Sequence, residues 1–204
     1  VPGAGDVLGV RMPVLRGISK RICRGDWRSF LEEPAALHEE RRLRALVIAG
    51  AEMGLDERLS LTKGFVPTID DWAVCDTFCM EWKVRGAADR ERLWEYCEEL
   101  IRSGGEFGMR ASAVFMLAHF LDDGHIDRVL ELLTAACHEG RYYRMGAAWA
   151  LSCCFIRYPE KTEAALFSDS LDGGIRDMAL RKVYDSLRVG ADDKGRLRAR
   201  RDGA

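Results

Sequence analysis

Apolar residues recur every three or four positions along most of this chain, with polar residues between them, and that spacing predicts helices. Val14, Leu15, Ile18 and Ile22 follow it, and Pro13 suits a first helical turn. Leu43, Leu46, Val47 and Ile48 fall in a helix over 35–53 that Gly54 ends, and 55–65 forms a shorter helix closed by 64–67. Asp70 and Asp71 read as an N-cap and first turn for a helix carrying Trp72, Val74, Cys75, Phe78, Cys79 and Trp82. Further helices follow over 90–101, stopped by Ser103, Gly104 and Gly105, then over 107–121, 125–137, 141–156, 159–167 and 176–187. A short charged helix after Asp192 ends the series. No segment alternates as a strand would.

The helices repeat. Asp76 to Arg110 is 34 residues, and Arg110 to Arg144 is again 34. Segments 72–78, 106–115 and 140–149 can be written under one another, which also brings Phe115 and Trp149 into line. Each opens a helix, and small residues follow (Ala111, Ser112, Ala113; Gly146, Ala147, Ala148) that let neighbouring helices approach closely. A period of this size belongs to stacked helix pairs. The expected fold is therefore all-α: a right-handed α-solenoid of HEAT-like helical hairpins, and not a closed four-helix bundle. One domain over 1–204 is expected, with a charged tail from about 190. In such a stack equivalent positions line one curved surface. Trp72, Asp76, Arg110, Arg144 and Trp149 then converge on a groove, where free amides of helix first turns attract anions. A carboxylate, guanidinium groups and two indoles suit a sugar-phosphate ligand better than a packed core. The bland counterpart is that each Arg caps a neighbouring helix or pairs with an acid. Trp27, Trp82 and Trp94 lack a polar companion and are assigned to packing.

Composition narrows the picture. No apolar run reaches the roughly 18 residues of a membrane span, and the first residues lack the basic start and apolar block of a secretory signal. Seven Cys at irregular spacing fit reduced thiols in a cytoplasmic protein. Cys75 and Cys79 are one turn apart, but no His or second Cys pair completes a zinc set, so no metal and no cofactor are expected. A net charge of −2 counts against a generally basic DNA binder. The distribution is uneven, however: Arg11, Arg16, Lys20, Arg21 and Arg24 cluster near the start, and Lys194, Arg196, Arg198, Arg200 and Arg201 near the end. No Gly-rich phosphate loop and no Ser-His-Asp arrangement stands out.

Three stretches together resemble the DNA alkylation repair family: Val7 to Arg16 followed by an amphipathic helix, Ile69 to Asp76, and Tyr142 to Ala150 followed by Pro159 to Thr162. The resemblance runs over about 7–187. It implies a HEAT-like solenoid that holds duplex DNA, alkylated at the site of action, in its concave groove. It also implies a DNA glycosylase that releases cationic N3- and N7-alkylated purines without flipping the base, unlike most glycosylases. By position, Asp76 matches the catalytic carboxylate, Trp72 and Trp149 the aromatic pair at the lesion's deoxyribose, and Arg110 the groove arginine. Arg144 and Arg11 join it as DNA-binding candidates. The chemistry is coherent: an alkylated purine already carries positive charge and leaves without a proton, so a single carboxylate beside the oxocarbenium-like sugar suffices. Relatives carry more helical sequence before the first motif, where six residues stand here, so a reduced grip on DNA is expected. The rival from another class is a catalytically weak or inactive HEAT-like scaffold that binds DNA structures or proteins. A monomer is expected in either case.

Overall fold

The structure, a computed structural model, describes residues 6–203; residues 1–5, most of the stretch read as lacking a signal, and residue 204 lie outside them. Among the described residues there are twelve α-helices and no strand. They are α1 (Met12–Ile22), α2 (Trp27–Glu32), α3 (His38–Gly50), α4 (Leu55–Phe65), α5 (Trp72–Glu81) and α6 (Ala87–Ile101). Then follow α7 (Glu106–His119), α8 (Ile126–Ala135), α9 (Arg141–Arg157), α10 (Pro159–Leu166), α11 (Gly173–Asp185) and α12 (Ala191–Asp202). The chain divides into two compact units, residues 1–95 and 96–204. The all-helical expectation holds, and the spacing misses only α2, which is six residues long.

In the first unit α3 packs between α1 and α5 and also against α4. That central place explains why Ala45, Leu46, Val47, Ile48 and Ala49 are buried on every side of α3 instead of along one stripe. Trp27 of α2 packs on Val47 and Ala51. The end of α3 is closed by Arg58 of α4, whose guanidinium is fully buried. It donates to the carbonyls of Ile48 (3.0 Å), Ala49 (2.7 Å) and Ala51 (2.7 Å). These carbonyls lack partners within the helix, so a buried cation satisfies both itself and them. Its guanidinium carbon also stands 5.6 Å from the ring centre of Trp82, just after α5, and the Trp82 indole donates to Thr62 Oγ1 (3.0 Å). Burial holds the Arg58 pKa below the usual arginine value.

The segment before α1 is tied down by one carboxylate. Glu39 is buried near the start of α3 and accepts the N–H groups of Leu8 (3.0 Å), Gly9 (2.8 Å) and Val10 (3.2 Å). Three consecutive amides can point at one anion because Gly9 takes φ +77°, a conformation costly for a residue with a Cβ. Burial works to raise the Glu39 pKa, but these donated bonds outweigh it and leave the group below the ordinary carboxylate range.

In the second unit α9 packs between α7 and α11, with α8 and α10 against it. The small residues read from the sequence fill these contacts: Ala111, Ser112, Ala113, Ala147 and Ala148 are fully buried. The charged tail is docked rather than free. Leu197 of α12 is buried, Arg196 and Arg200 converge on Glu163 of α10 (2.7 and 3.1 Å), and Arg198 lies over the Tyr184 ring (4.9 Å). Burial works to raise Glu163, but the hydrogen bonds from Arg196 and Arg200 prevail and hold its pKa low.

Two outcomes follow from these buried charges. Arg58→Met keeps the bulk but strips the donors from the end of α3, and should cost about 3 kcal/mol in urea denaturation; a loss below about 1 kcal/mol would contradict the capping role. Because the folded pKa of Glu163 is depressed, its contribution is present above the unfolded glutamate value of about 4.3 and is lost as pH falls through the folded value. The melting-temperature gap between wild type and Glu163→Gln should therefore shrink below about pH 4. A gap constant from pH 7 to pH 3 would show that the pair does not hold the tail.

Candidate functional site

Position 72 opens α5, and the local sequence dictates how. Asp71 is the N-cap, with extended backbone (φ −138°, ψ 152°), and its Oδ1 accepts the N–H groups of Ala73 (2.8 Å) and Val74 (2.9 Å). Asp71 is fully buried, and its other oxygen lies 3.4 Å from Nδ1 of the buried His38 at the start of α3. These two buried atoms make no hydrogen bond, and the start of α5 is tied to α3 instead by Asp70, which pairs with Arg41 of α3 (2.5 Å). Arg42 adds a bond to Thr77 Oγ1 (3.3 Å), one turn further on.

On this anchored helix Trp72 is 40% exposed, unusually open for so large an apolar side chain. Asp76 is half-buried on the same helix. Four residues separate them, so the indole and the carboxylate share one face, about 6 Å apart along the axis. The flanking residues Ala73, Val74, Cys75 and Thr77 are buried, so this face alone of the first two turns reaches outward. The pair can present a negative charge beside an electron-rich aromatic plane, an arrangement that favours a cation. The other early indoles behave as assigned: Trp82 is buried under Arg58, and Trp27 sits in the apolar cluster.

In the second unit the candidate residues have structural work. Arg110 of α7 is 5% exposed and donates to the carbonyl of Tyr142 at the start of α9 (2.6 Å). Its side chain runs against Gly146, where a Cβ would stand 3.0 Å from Arg110 Cγ, so glycine makes room for it. Arg144 of α9 is ion-paired with Asp172 (2.7 Å), which in turn caps α11 by accepting the Ile175 N–H (2.9 Å). The Ile175 bond is the leading cause of the low Asp172 pKa; burial opposes it and Arg144 reinforces it. Gly174 leaves room beside this pair, since a Cβ there would meet the Arg144 guanidinium and make it shift. Trp149 is half-buried, whereas the aligned Phe115 is wholly inside the core. Arg11, in the first unit, is exposed just ahead of α1.

The structure adds residues that the sequence reading passed over. Glu106, in the same repeat slot as Trp72, reaches across from α7 and accepts the Tyr142 N–H at the start of α9 (2.6 Å). Gly140 occupies the third copy of that slot, and a Cβ there would strike the Glu106 side chain. First-turn amides of α5, α9 and α11 are thus satisfied by the protein's own carboxylates Asp71, Glu106 and Asp172. The expectation that first-turn amides of the repeat helices stand open to an external anion is thus corrected at Ala73 and Val74 of α5 and at Tyr142 of α9, whereas the Gly105 N-cap of α7 supplies no side-chain oxygen. Among the described residues no three His, Cys, Asp or Glu side chains gather as a metal would require. Cys75 and Cys79 are both fully buried. No helix among the described residues is long and apolar enough to cross a membrane.

Compared with known protein families, residues 3–182 match the model of one described as DNA alkylation repair enzyme. No curated protein and no solved structure matches the chain.

The role of Asp71 can be measured directly. Asp71→Ala removes the cap of α5 and should cost about 1 to 2 kcal/mol of stability by denaturant titration. Asp71→Asn, which retains a capping oxygen, should recover most of it; equal losses for the two would show that capping is not what Asp71 supplies.

Proposed function

The chain belongs to the DNA alkylation repair enzyme family, and we propose that within it this protein is a DNA glycosylase that releases cationic N3- and N7-alkylated purines from duplex DNA without base flipping. The helix pairs extend, in this proposal, as a right-handed HEAT-like solenoid forming one domain, and the protein works as a monomer without metal or cofactor. The observation that carries it is the exposed Trp72 one turn from the Asp76 carboxylate, on a helix that Asp71 caps and Asp70 ties to α3.

The chemistry follows from charge. Loss of the alkylated base leaves an oxocarbenium-like deoxyribose. Asp76 stabilises that cation and orients the attacking water, while the faces of Trp72 and Trp149 favour the same positive charge. The base departs already cationic, so no general acid is needed. Arg11 supplies a phosphate contact. Arg110 and Arg144, engaged with Tyr142 and Asp172, support DNA binding by setting how α7, α9 and α11 stack rather than by gripping phosphates themselves.

That internal engagement of two groove arginines also favours an alternative, a HEAT-like scaffold that binds DNA structures with little or no excision. One experiment separates them: incubation with methylated duplex DNA and chromatography of the freed bases. Glycosylase function requires release of 7-methylguanine and a loss of about a hundredfold or more in Asp76→Asn, the scale of one electrostatic group at a transition state. Release unchanged in Asp76→Asn refutes the catalytic assignment. DNA binding without release by wild type establishes the scaffold.

A further inference from the structure

We propose that the edge of the first unit where α1, α3 and α5 end is a second contact for the phosphate backbone of duplex DNA, built on Lys20, Arg24 and Lys83. A cleft of about 500 Å³ opens there, lined by Arg16, Lys20, Arg24 and Lys83 and by the carboxylates Glu52 and Glu81. Both carboxylates are already committed: Glu81 pairs with Arg16 (2.7 Å) and Glu52 with Arg85 (2.7 Å). Lys83 donates to the Gly50 carbonyl (3.1 Å) and, among the described residues, meets no acid. Lys20 and Arg24 are exposed and have no ionic partner among the described residues. The cleft therefore carries unneutralised positive charge in a protein whose net charge is −2.

Helix dipoles explain part of this. Cations in a last turn offset the partial negative charge of the carbonyls there, and Lys20 and Arg21 end α1. The effect fades beyond one turn, yet residues 11–24 hold Arg11, Arg16, Lys20, Arg21 and Arg24 with no acid among them. Arg16, Lys20 and Arg24 are spaced by four, so they form one stripe along α1 and its extension. A stripe of this kind fits a linear polyanion better than a single carboxylate, and the DNA duplex is the densest one available. Trp72 opens α5 and Asp76 stands at its middle, so they lie about 14 Å and about 8 Å along the helix axis from Glu81 at the cleft. The two contacts are separate, and the cleft's role is sequence-independent grip rather than chemistry.

The inference rests on duplex DNA being the substrate, and the test separates the two claims. Binding of the full chain to undamaged labelled duplex is followed by anisotropy from 50 to 200 mM salt. Lys20→Gln/Arg24→Gln should weaken binding about tenfold and make the log–log salt slope shallower by about two, near 0.9 for each phosphate no longer neutralised. Lys83→Gln should act in the same direction through a different element, which guards against a folding artefact in α1. A slope in both variants equal to wild type overturns this inference and leaves the glycosylase proposal standing. Failure of wild type to bind duplex at all sinks both. Displacement of duplex by polyglutamate of equal charge as readily as by unlabelled duplex would assign the cleft to an acidic protein partner and overturn it as well.

Discussion

A guanidinium with no access to water holds the first unit together. Arg58 closes the end of α3 through three carbonyls and lies against Trp82 at the end of α5. Such a charge is tolerated because each of its donors meets a carbonyl that the helix itself leaves without a partner. At the other end of α5, one oxygen of buried Asp71 caps the helix by accepting the Ala73 and Val74 amides, and Asp70 pairs with Arg41 of α3. Helix α5 is thus held at both termini, which lets it carry an exposed indole and a half-buried carboxylate on a rigid support. A site that acts by electrostatics needs such rigidity, because a preorganised charge spends nothing on rearrangement when the transition state forms.

Carboxylates govern the helix starts as Arg58 governs a helix end. Asp71 and Asp172 cap their own helices, Glu106 of α7 caps α9, and Glu39 gathers the amides ahead of α1. The electrostatic consequence reaches function. Partial positive charge at these termini is answered from within, so it adds little attraction for a phosphate. Side-chain cations add attraction, and Lys20 and Arg24 at the end of α1 have no ionic partner among the described residues. The basic tail does not compete for this role, since Arg196 and Arg200 are spent on Glu163.

Much of this was legible in the residues, for identifiable reasons. Helix positions follow from apolar spacing, and α2 escapes because six residues give too little periodicity. Helix α11 begins at Gly173, earlier than spacing suggests, because its two glycines look like a break, while Gly174 in fact leaves space for Arg144. The neighbouring Trp72 and Asp76 are legible because four residues make one turn, and the Asp71 cap because it precedes the helix in sequence. The partners of Arg110 and Arg144 are not legible. They lie 32 and 28 residues away, at distances only stacking creates. Sequence alone therefore gives these arginines the look of ligand contacts, while the packing makes them struts.

The slot shared by positions 72, 106 and 140 shows how such an array diversifies. One copy holds an outward-facing indole, the next a carboxylate that braces its neighbour, and the third a glycine that yields space to that brace. The second and third copies are bound to each other as lock and keyway, so a change in either demands a matching change in its mate. The first copy carries no such obligation. Trp72 is thus the copy at liberty to drift toward a new ligand without disturbing the architecture, and variation in specificity should accumulate there sooner than at its two counterparts.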